Sequence, residues 1–177
     1  ATRAERRPGG FALTGEKCFV PGQEGGELVL VCAAAEDGPA LFAISRDAAG
    51  LEASPERNMG IGALPTVALS LRDVRVPAEA RLGSPGGGEV ARLLARGRVA
   101  LGAAAVGVAR AAFEVARDYA KERQTFGAPI ATRQAIAFAL ADMAIEIDGA
   151  RLLVWEAAWT LDQGGDALPQ VVARAQD

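Results

Sequence analysis

Histidine is absent from all 177 residues. That removes an imidazole base, a Ser-His-Asp triad and any histidine-ligated metal. Cysteine is scarce: Cys18 and Cys32 are the only two. They form no CxxC pair and cannot complete a four-thiolate zinc site, so they are expected to be buried thiols in strands, as suits a reducing cytoplasm. Aromatics make up 5% of the chain and the net charge is −3. Lysine and arginine are scattered and do not interleave with the aromatics, which argues against a nucleic-acid surface. The Arg-rich start (Arg3, Arg6, Arg7) reads as a solvated edge. Long apolar runs are missing too. The most apolar window, residues 99–109, ends at Arg110 and is too short for a membrane span. No signal-peptide pattern is visible. The first residue is Ala and the pattern starts midway, so the chain is expected to be a fragment or a processed piece.

What is present is half apolar and 23% charged, enough for a real core in a soluble globular protein. Two periods divide it. Residues 11–83 read as strands: FALTGEKCFV, ELVLVCAAA, ALFAISR and TVALSLRDVRV, separated by Gly and Pro clusters. That spacing predicts a small all-β barrel or sandwich. SPGGGE at 84–89 marks the hinge. Beyond it the period becomes helical. One helix is predicted from Glu89 to Arg123, roughly 50 Å long. Its glycines Gly97, Gly102 and Gly107 would let a neighbouring helix approach closely. A second is predicted from Thr132 to about Asp162, with Ile136, Leu140, Met143, Ile147, Ala150 and Val154 in one stripe. A third would start near Asp166, with Pro169 in its first turn. Two helices and a stub cannot enclose a bundle core, so further helices must cover them. Trp155 and Trp159, one turn apart, are expected in that interface.

Familiar loop signatures fail here. GFALTGEK at 10–17 lacks the Ser or Thr after Lys17, and sits in a strand setting. GIGALP at 60–65 lacks the last glycine of a dinucleotide fingerprint and reads as a turn. Glu114, Glu122, Glu146 and Glu156 fall on helices, where a solvated face is the ordinary role. The joint KERQTFGAPIATRQAIAFALADM at 121–143 differs. Arg123 ends one helix, Thr132 is a plausible N-cap for the next, and Gln134 lies in its first turn. An arginine beside a helix N-terminus is an anion site in physical terms. On physics alone, a plain helix-to-helix turn with an incidental arginine is the stronger reading.

The joint also carries a signature. Arg123-Gln124-Thr125-Phe126-Gly127, Pro129-Ile130, Gln134-Ala135, Phe138, Leu140-Ala141-Asp142-Met143 and Ala150-Arg151-Leu152 together resemble the FAD-dependent acyl-CoA dehydrogenases. In the β half, Leu13-Thr14-Gly15-Glu16-Lys17, Asn58-Met59-Gly60, Leu71-Arg72-Asp73-Val74-Arg75-Val76-Pro77 and Leu82-Gly83 are similar to the same family. The resemblance implies an α+β fold: a middle β-barrel domain over 1–83, then part of an up-and-down four-helix bundle over 84–177. It implies that one flavin-contacting segment precedes Ala1 and that the catalytic glutamate lies beyond Asp177. The reaction implied is oxidation of an acyl-CoA to its 2,3-enoyl-CoA. That glutamate takes the α-proton, and the β-hydrogen passes as hydride to flavin N5.

By the same resemblance, Arg123, Thr125, Phe126 and Gln134 would contact the FAD of a neighbouring subunit, with Arg123 at the pyrophosphate. Phe19, Val20 and Pro21 would face the isoalloxazine from the barrel, and Arg98 would meet the CoA. The implied partners are the acyl-CoA substrate, an electron-transferring flavoprotein and further copies of the chain in a dimer or tetramer. No nucleic acid and no membrane span are expected, and the location is cytoplasmic. Two places depart from the family pattern. Phe19-Val20-Pro21 replaces Trp-Ile-Thr or Trp-Ile-Ser and loses a hydroxyl near the flavin. Ala95-Arg96-Gly97-Arg98 keeps the arginine of Asp-x-x-Arg without the aspartate. Gly97 aligns with the glutamate base that a minority of members place on this helix. Two alternatives follow: an oxygen-reacting oxidase or monooxygenase on the same fold, or a non-catalytic subunit completing a partner's flavin site.

Overall fold

The computed structural model describes residues 2–22, 26–60, 63–86 and 88–163. The chain divides into two compact units, Ala1–Arg92 and Leu93–Asp177. The first is a β unit of seven strands: β1 (Arg3–Arg7), β2 (Gly10–Pro21), β3 (Leu28–Ala35), β4 (Gly38–Ser45), β5 (Leu51–Glu56), β6 (Thr66–Pro77) and β7 (Arg81–Leu82). They form one sheet in the order β5-β6-β2-β1-β3-β4-β7. All pairings are antiparallel except β1 with β3, so the sheet is mixed. The predicted barrel is not closed among the described residues. Closure needs hydrogen bonds between the outer strands, and β5 and β7 do not pair.

Three strands escape the sequence pattern: the two-residue β7, β1 and β5. The Arg-rich start is no edge: β1 lies between β2 and β3 inside the sheet. Only Ala4 of its five residues is buried, so the strand joins through its backbone while its arginines stay in water. β5 carries Pro55 and shows little alternation, yet it pairs with β6 from Leu51 to Glu56. It is an outer strand, where a missing N–H is tolerated. The core is made by alternate positions of the central strands. Phe42, Leu13, Ile44, Leu71, Val31 and Val74 are the largest fully buried side chains. Gly10 is required by close packing, because a Cβ there would lie 2.0 Å from the Val76 carbonyl oxygen.

The thiols do not follow the expectation of burial. Cys18 is exposed and Cys32 partly so, and neither is bonded to the other. Cys18 falls between Lys17 and Val20, where the β2–β6 register shifts. Cys18 keeps the outward phase of Thr14 and Glu16, so alternation along β2 turns it to solvent; the bulge then brings Phe19 out beside it.

Arg81 fixes β7 against the turn after β3. Its guanidinium is nearly buried and bonds Asp37 Oδ2 at 2.8 Å, 5.9 Å from the Phe11 ring centroid. That hydrogen bond holds the Asp37 carboxyl below its ordinary value. A depressed folded-state pKa stabilises above the unfolded value, and the contribution disappears as pH falls through the folded one. Asp37→Asn should therefore lower the denaturation midpoint of the β unit near neutrality. The gap to wild type should shrink as pH falls through and below the ordinary carboxylate range; urea titrations at neutral and at acid pH check this.

The second unit holds two long helices, α1 (Gly88–Glu122, whose first turn belongs to the β unit) and α2 (Gln134–Gln163). Both boundaries lie within two residues of expectation. The third predicted helix and its preceding glycines lie outside the described residues. Ala95 and Val99, near the start of α1, pack against Ala157 and Leu161, near the end of α2, so the helices run antiparallel. The buried seam is thin. Leu101, Val108 and Val115 on α1, and Phe138, Leu152, Trp155 and Trp159 on α2, are exposed. The predicted stripe is itself mostly uncovered, and a Cβ at Gly97 or Gly107 would meet nothing within 4 Å. The apolar run of α1 also extends further than its local window indicated. An 18-residue stretch has a mean hydropathy of 1.6, long and apolar enough to cross a membrane by length and composition. The run continues past Arg110, which pairs with Glu114 at 3.0 Å one turn on.

Candidate functional site

The joint between α1 and α2 is a miniature hairpin. The Arg123 N–H donates to the Tyr119 carbonyl at 2.8 Å, the last helical bond of α1, and the Arg123 carbonyl accepts the Ile130 N–H at 2.8 Å. Between them lie β8 (Gln124–Thr125) and β9 (Ala128–Pro129), with Gln124 opposite Pro129 and Thr125 opposite Ala128. The turn is Phe126-Gly127, with φ of 51° and 77°. Two positive φ values in a two-residue loop match the twist of paired strands, and Asn-Gly is the usual choice. Glycine meets the demand at the second position. Phenylalanine at the first costs about 1–2 kcal/mol of left-handed strain. Phe126 is also 98% exposed, so no burial against the described residues offsets that strain.

The start of α2 differs from expectation. Thr132 does not cap it; it lies in the 3₁₀ turn Ile130–Thr132 and donates its hydroxyl to the Pro129 carbonyl at 2.7 Å. Arg133 takes the capping position: its carbonyl accepts the N–H groups of Ile136 and Ala137. An arginine side chain has no acceptor for the free N–H groups, and the first turn of α2 contains no acidic residue. A cation at a helix N-terminus opposes the dipole, whereas an anion there is favoured.

Among the residues singled out from the sequence, Arg123, Thr125, Phe126 and Gln134 gather on this hairpin and its exit. Arg123 is exposed, and its guanidinium has no partner among the described residues. Gln134 is exposed and Thr125 partly buried. Sequence reasoning missed Arg133. Its Nη2 donates to the Thr125 carbonyl at 3.0 Å, and its guanidinium lies 5.6 Å from the Phe126 ring centroid. The signal available was its place one residue before Gln134. Arg98 is exposed on α1, nearly seven turns before the helix ends, roughly 36 Å away at 1.5 Å per residue.

In the β unit, Phe19 lies in the bulge of β2, and Val20 and Pro21 close the strand after it. Val20 pairs with Val67 and Pro21 with Thr66. Phe19 has φ of 54° and is 65% exposed, and its N–H donates to Glu56 Oε2 at 2.7 Å. Only three described non-glycine residues have positive φ, and two of them are Phe19 and Phe126. Backbone strain under an exposed aromatic ring is a mark of functional positions.

Comparison with known proteins bears on the family of the chain as a whole. Residues 86–175 match the family model described as acyl-CoA dehydrogenase, C-terminal domain. A Bacillus subtilis protein named "Probable acyl-CoA dehydrogenase YngJ" is 41% identical over 161 residues, which are 86% of this chain and 42% of that protein. The structure of butyryl-CoA dehydrogenase from Megasphaera elsdenii superimposes with a TM-score of 0.80 at 32% identity, over 99% of this chain and 50% of that one. A structure of PigA with FAD and proline gives a TM-score of 0.87 at 25% identity, over 98% and 47%. The chain thus spans less than half the length of the curated relatives it matches. With a family model over half its residues, and with relatives that align across both the sheet and the helices, the chain belongs to the acyl-CoA dehydrogenase family.

Proposed function

We propose that this chain forms part of an FAD-dependent acyl-CoA dehydrogenase and supplies binding surface for the flavin. The observation that carries the reading is the hairpin. It combines an Arg123 with no partner among the described residues, an exposed and strained Phe126, and a helix start without acidic side chains. A dinucleotide cofactor answers all three features: its pyrophosphate for the guanidinium and the α2 N–H groups, its rings for the phenylalanine. Flavin when bound accepts the substrate's β-hydrogen as hydride, while a carboxylate from outside these residues removes the α-proton and an enoyl-CoA results. The chain's own residues bind and orient. Arg123 pairs with the pyrophosphate, Thr125 and Gln134 offer hydrogen bonds, and Phe126 covers a ring face. Phe19, Val20 and Pro21 wall the isoalloxazine in the β unit, and Arg98 meets the CoA.

The long separation of Arg98 from the hairpin supports a shared arrangement in which the two ends of α1 serve different active sites. The exposed apolar faces of α1 and α2 fit the remaining bundle helices and further copies of the chain, completing the four-helix bundle of a dimer or tetramer. Protein suits these faces better than lipid, because the apolar window of α1 contains Arg110 and Glu114. The reoxidant in this reading is an electron-transferring flavoprotein.

One observation favours a second reading. Ala95 stands where the family's aspartate is expected, and it is buried against Ala157, so that position packs helices and offers no polar contact. With Pro21 replacing a hydroxyl, this fits a non-catalytic subunit that completes a partner's flavin site. The absorbance of the intact protein, followed by anaerobic bleaching with a panel of acyl-CoA thioesters, separates the readings. Bleaching is expected for the dehydrogenase. Bound flavin that no acyl-CoA bleaches would move the assignment to the non-catalytic subunit. Hydrogen peroxide released during aerobic turnover would identify an oxidase.

A further inference from the structure

We infer that Arg133 is the positioning residue of the hairpin, holding Phe126 in the orientation that presents its ring to the flavin. The inference rests on the flavin-binding reading above. It starts from a local conflict: a two-residue turn with phenylalanine at φ 51° is strained, and the ring projects into solvent with 98% exposure. Left alone, so short a hairpin would open, because its two-residue strands give few bonds to oppose the strain. Arg133 opposes opening in two ways at once. Its Nη2 donates to the Thr125 carbonyl at 3.0 Å, fixing the strand immediately before the turn. The same guanidinium lies over the Phe126 ring at 5.6 Å, within cation–π range. Its backbone is anchored independently: the Arg133 N–H donates to the Ile130 carbonyl at 3.0 Å, and its carbonyl receives the first N–H groups of α2.

The two arginines of the joint therefore have different tasks. Arg123 has no partner among the described residues and is available to an anion, while the guanidinium of Arg133 is engaged with the hairpin itself. Lysine could not substitute, since an ammonium lacks the planar fork that bonds a carbonyl and stacks on a ring together. This also accounts for a cation at a helix N-terminus, where dipole considerations alone would disfavour it.

The test compares wild type, Arg133→Ala and Arg133→Lys in the intact protein, with two readouts. The first is amide exchange across residues 124–130, which needs no flavin. The second is FAD affinity, from quenching of flavin fluorescence. Arg133 is exposed, so global folding should survive, and unchanged exchange in the middle of α2 would verify that. Arg133→Ala is expected to speed exchange across 124–130 and to weaken FAD binding, each by about tenfold. Arg133→Lys should remain close to the alanine variant in both. Unchanged exchange in Arg133→Ala would overturn the inference. So would a lysine variant that restores FAD affinity while exchange stays fast, since charge alone would then be the cause. If wild type binds no FAD, the flavin reading falls, and the exchange arm still decides whether Arg133 holds the hairpin.

Discussion

Phe42→Ala is expected to destabilise the β unit by about 3–5 kcal/mol, the range for truncating a buried phenylalanine. Phe42 has no exposed surface. Its ring meets Phe11 edge-on, with centroids 5.1 Å apart. It lies on β4, whose neighbours β3 and β7 leave little freedom to close a void. A domain stability of about 5–15 kcal/mol cannot absorb that loss without a large shift in the unfolding midpoint. The readout needs care, because Trp155, Trp159 and Tyr119 all lie in the helices. Tryptophan fluorescence would follow α2 and miss the sheet. Denaturant-dependent amide exchange across β3 and β4 reports the right unit. A midpoint equal to wild type there would contradict the assigned core.

Arg123→Ala is expected to release FAD from the intact protein, with affinity falling about a hundredfold. Truncating one partner of a desolvated charge pair typically has an effect of that order. The side chain is exposed and unpartnered among the described residues, so its loss should leave the fold untouched. The backbone of Arg123, which closes α1 and receives the Ile130 N–H, is unaffected by the substitution. Equilibrium dialysis at rising salt would add a second check: wild-type affinity should fall with ionic strength more steeply than that of the variant. Flavin occupancy equal to wild type after dialysis would refute the pyrophosphate role. It would leave Phe126 and Gln134 as the contacts to test.

The two substitutions probe different levels of organisation. Phe42 acts on whether the sheet exists, and Arg123 on what the finished hairpin can hold. A variant with wild-type exchange protection and no flavin would separate binding from folding.

Much was legible in the linear sequence for identifiable reasons. Strands β2 and β6 alternate apolar and polar residues over part of their length, and β3 and β4 are short apolar runs, all set between Gly and Pro clusters. Helices α1 and α2 carry a run of apolar positions every three to four residues, bounded by Gly-rich segments and the Phe-Gly-Ala-Pro link. These are local signals, and local signals set element type. The Arg-Gln-Thr-Phe-Gly signature likewise pointed to the family before any fold was known. Illegible features were of another kind. The central place of β1 depends on hydrogen bonds between its backbone and two distant partners, while its side chains read as a solvated edge. The consecutive exposure of Cys18 and Phe19 depends on a bulge, which is a mismatch between two strands and belongs to neither alone.

The sequence by itself therefore determined the division into a β half and an α half, the extent of both long helices, and the family. Periodicity, turn residues and an ordered motif are all properties of short stretches. Only the tertiary structure decided the order of strands, the positive φ of Phe19 and Phe126, and the clasp of Arg133 on Thr125 and Phe126. Those follow from register, bulge and hairpin geometry. Each requires two segments to meet, and a single stretch of chain cannot encode that meeting without the fold around it.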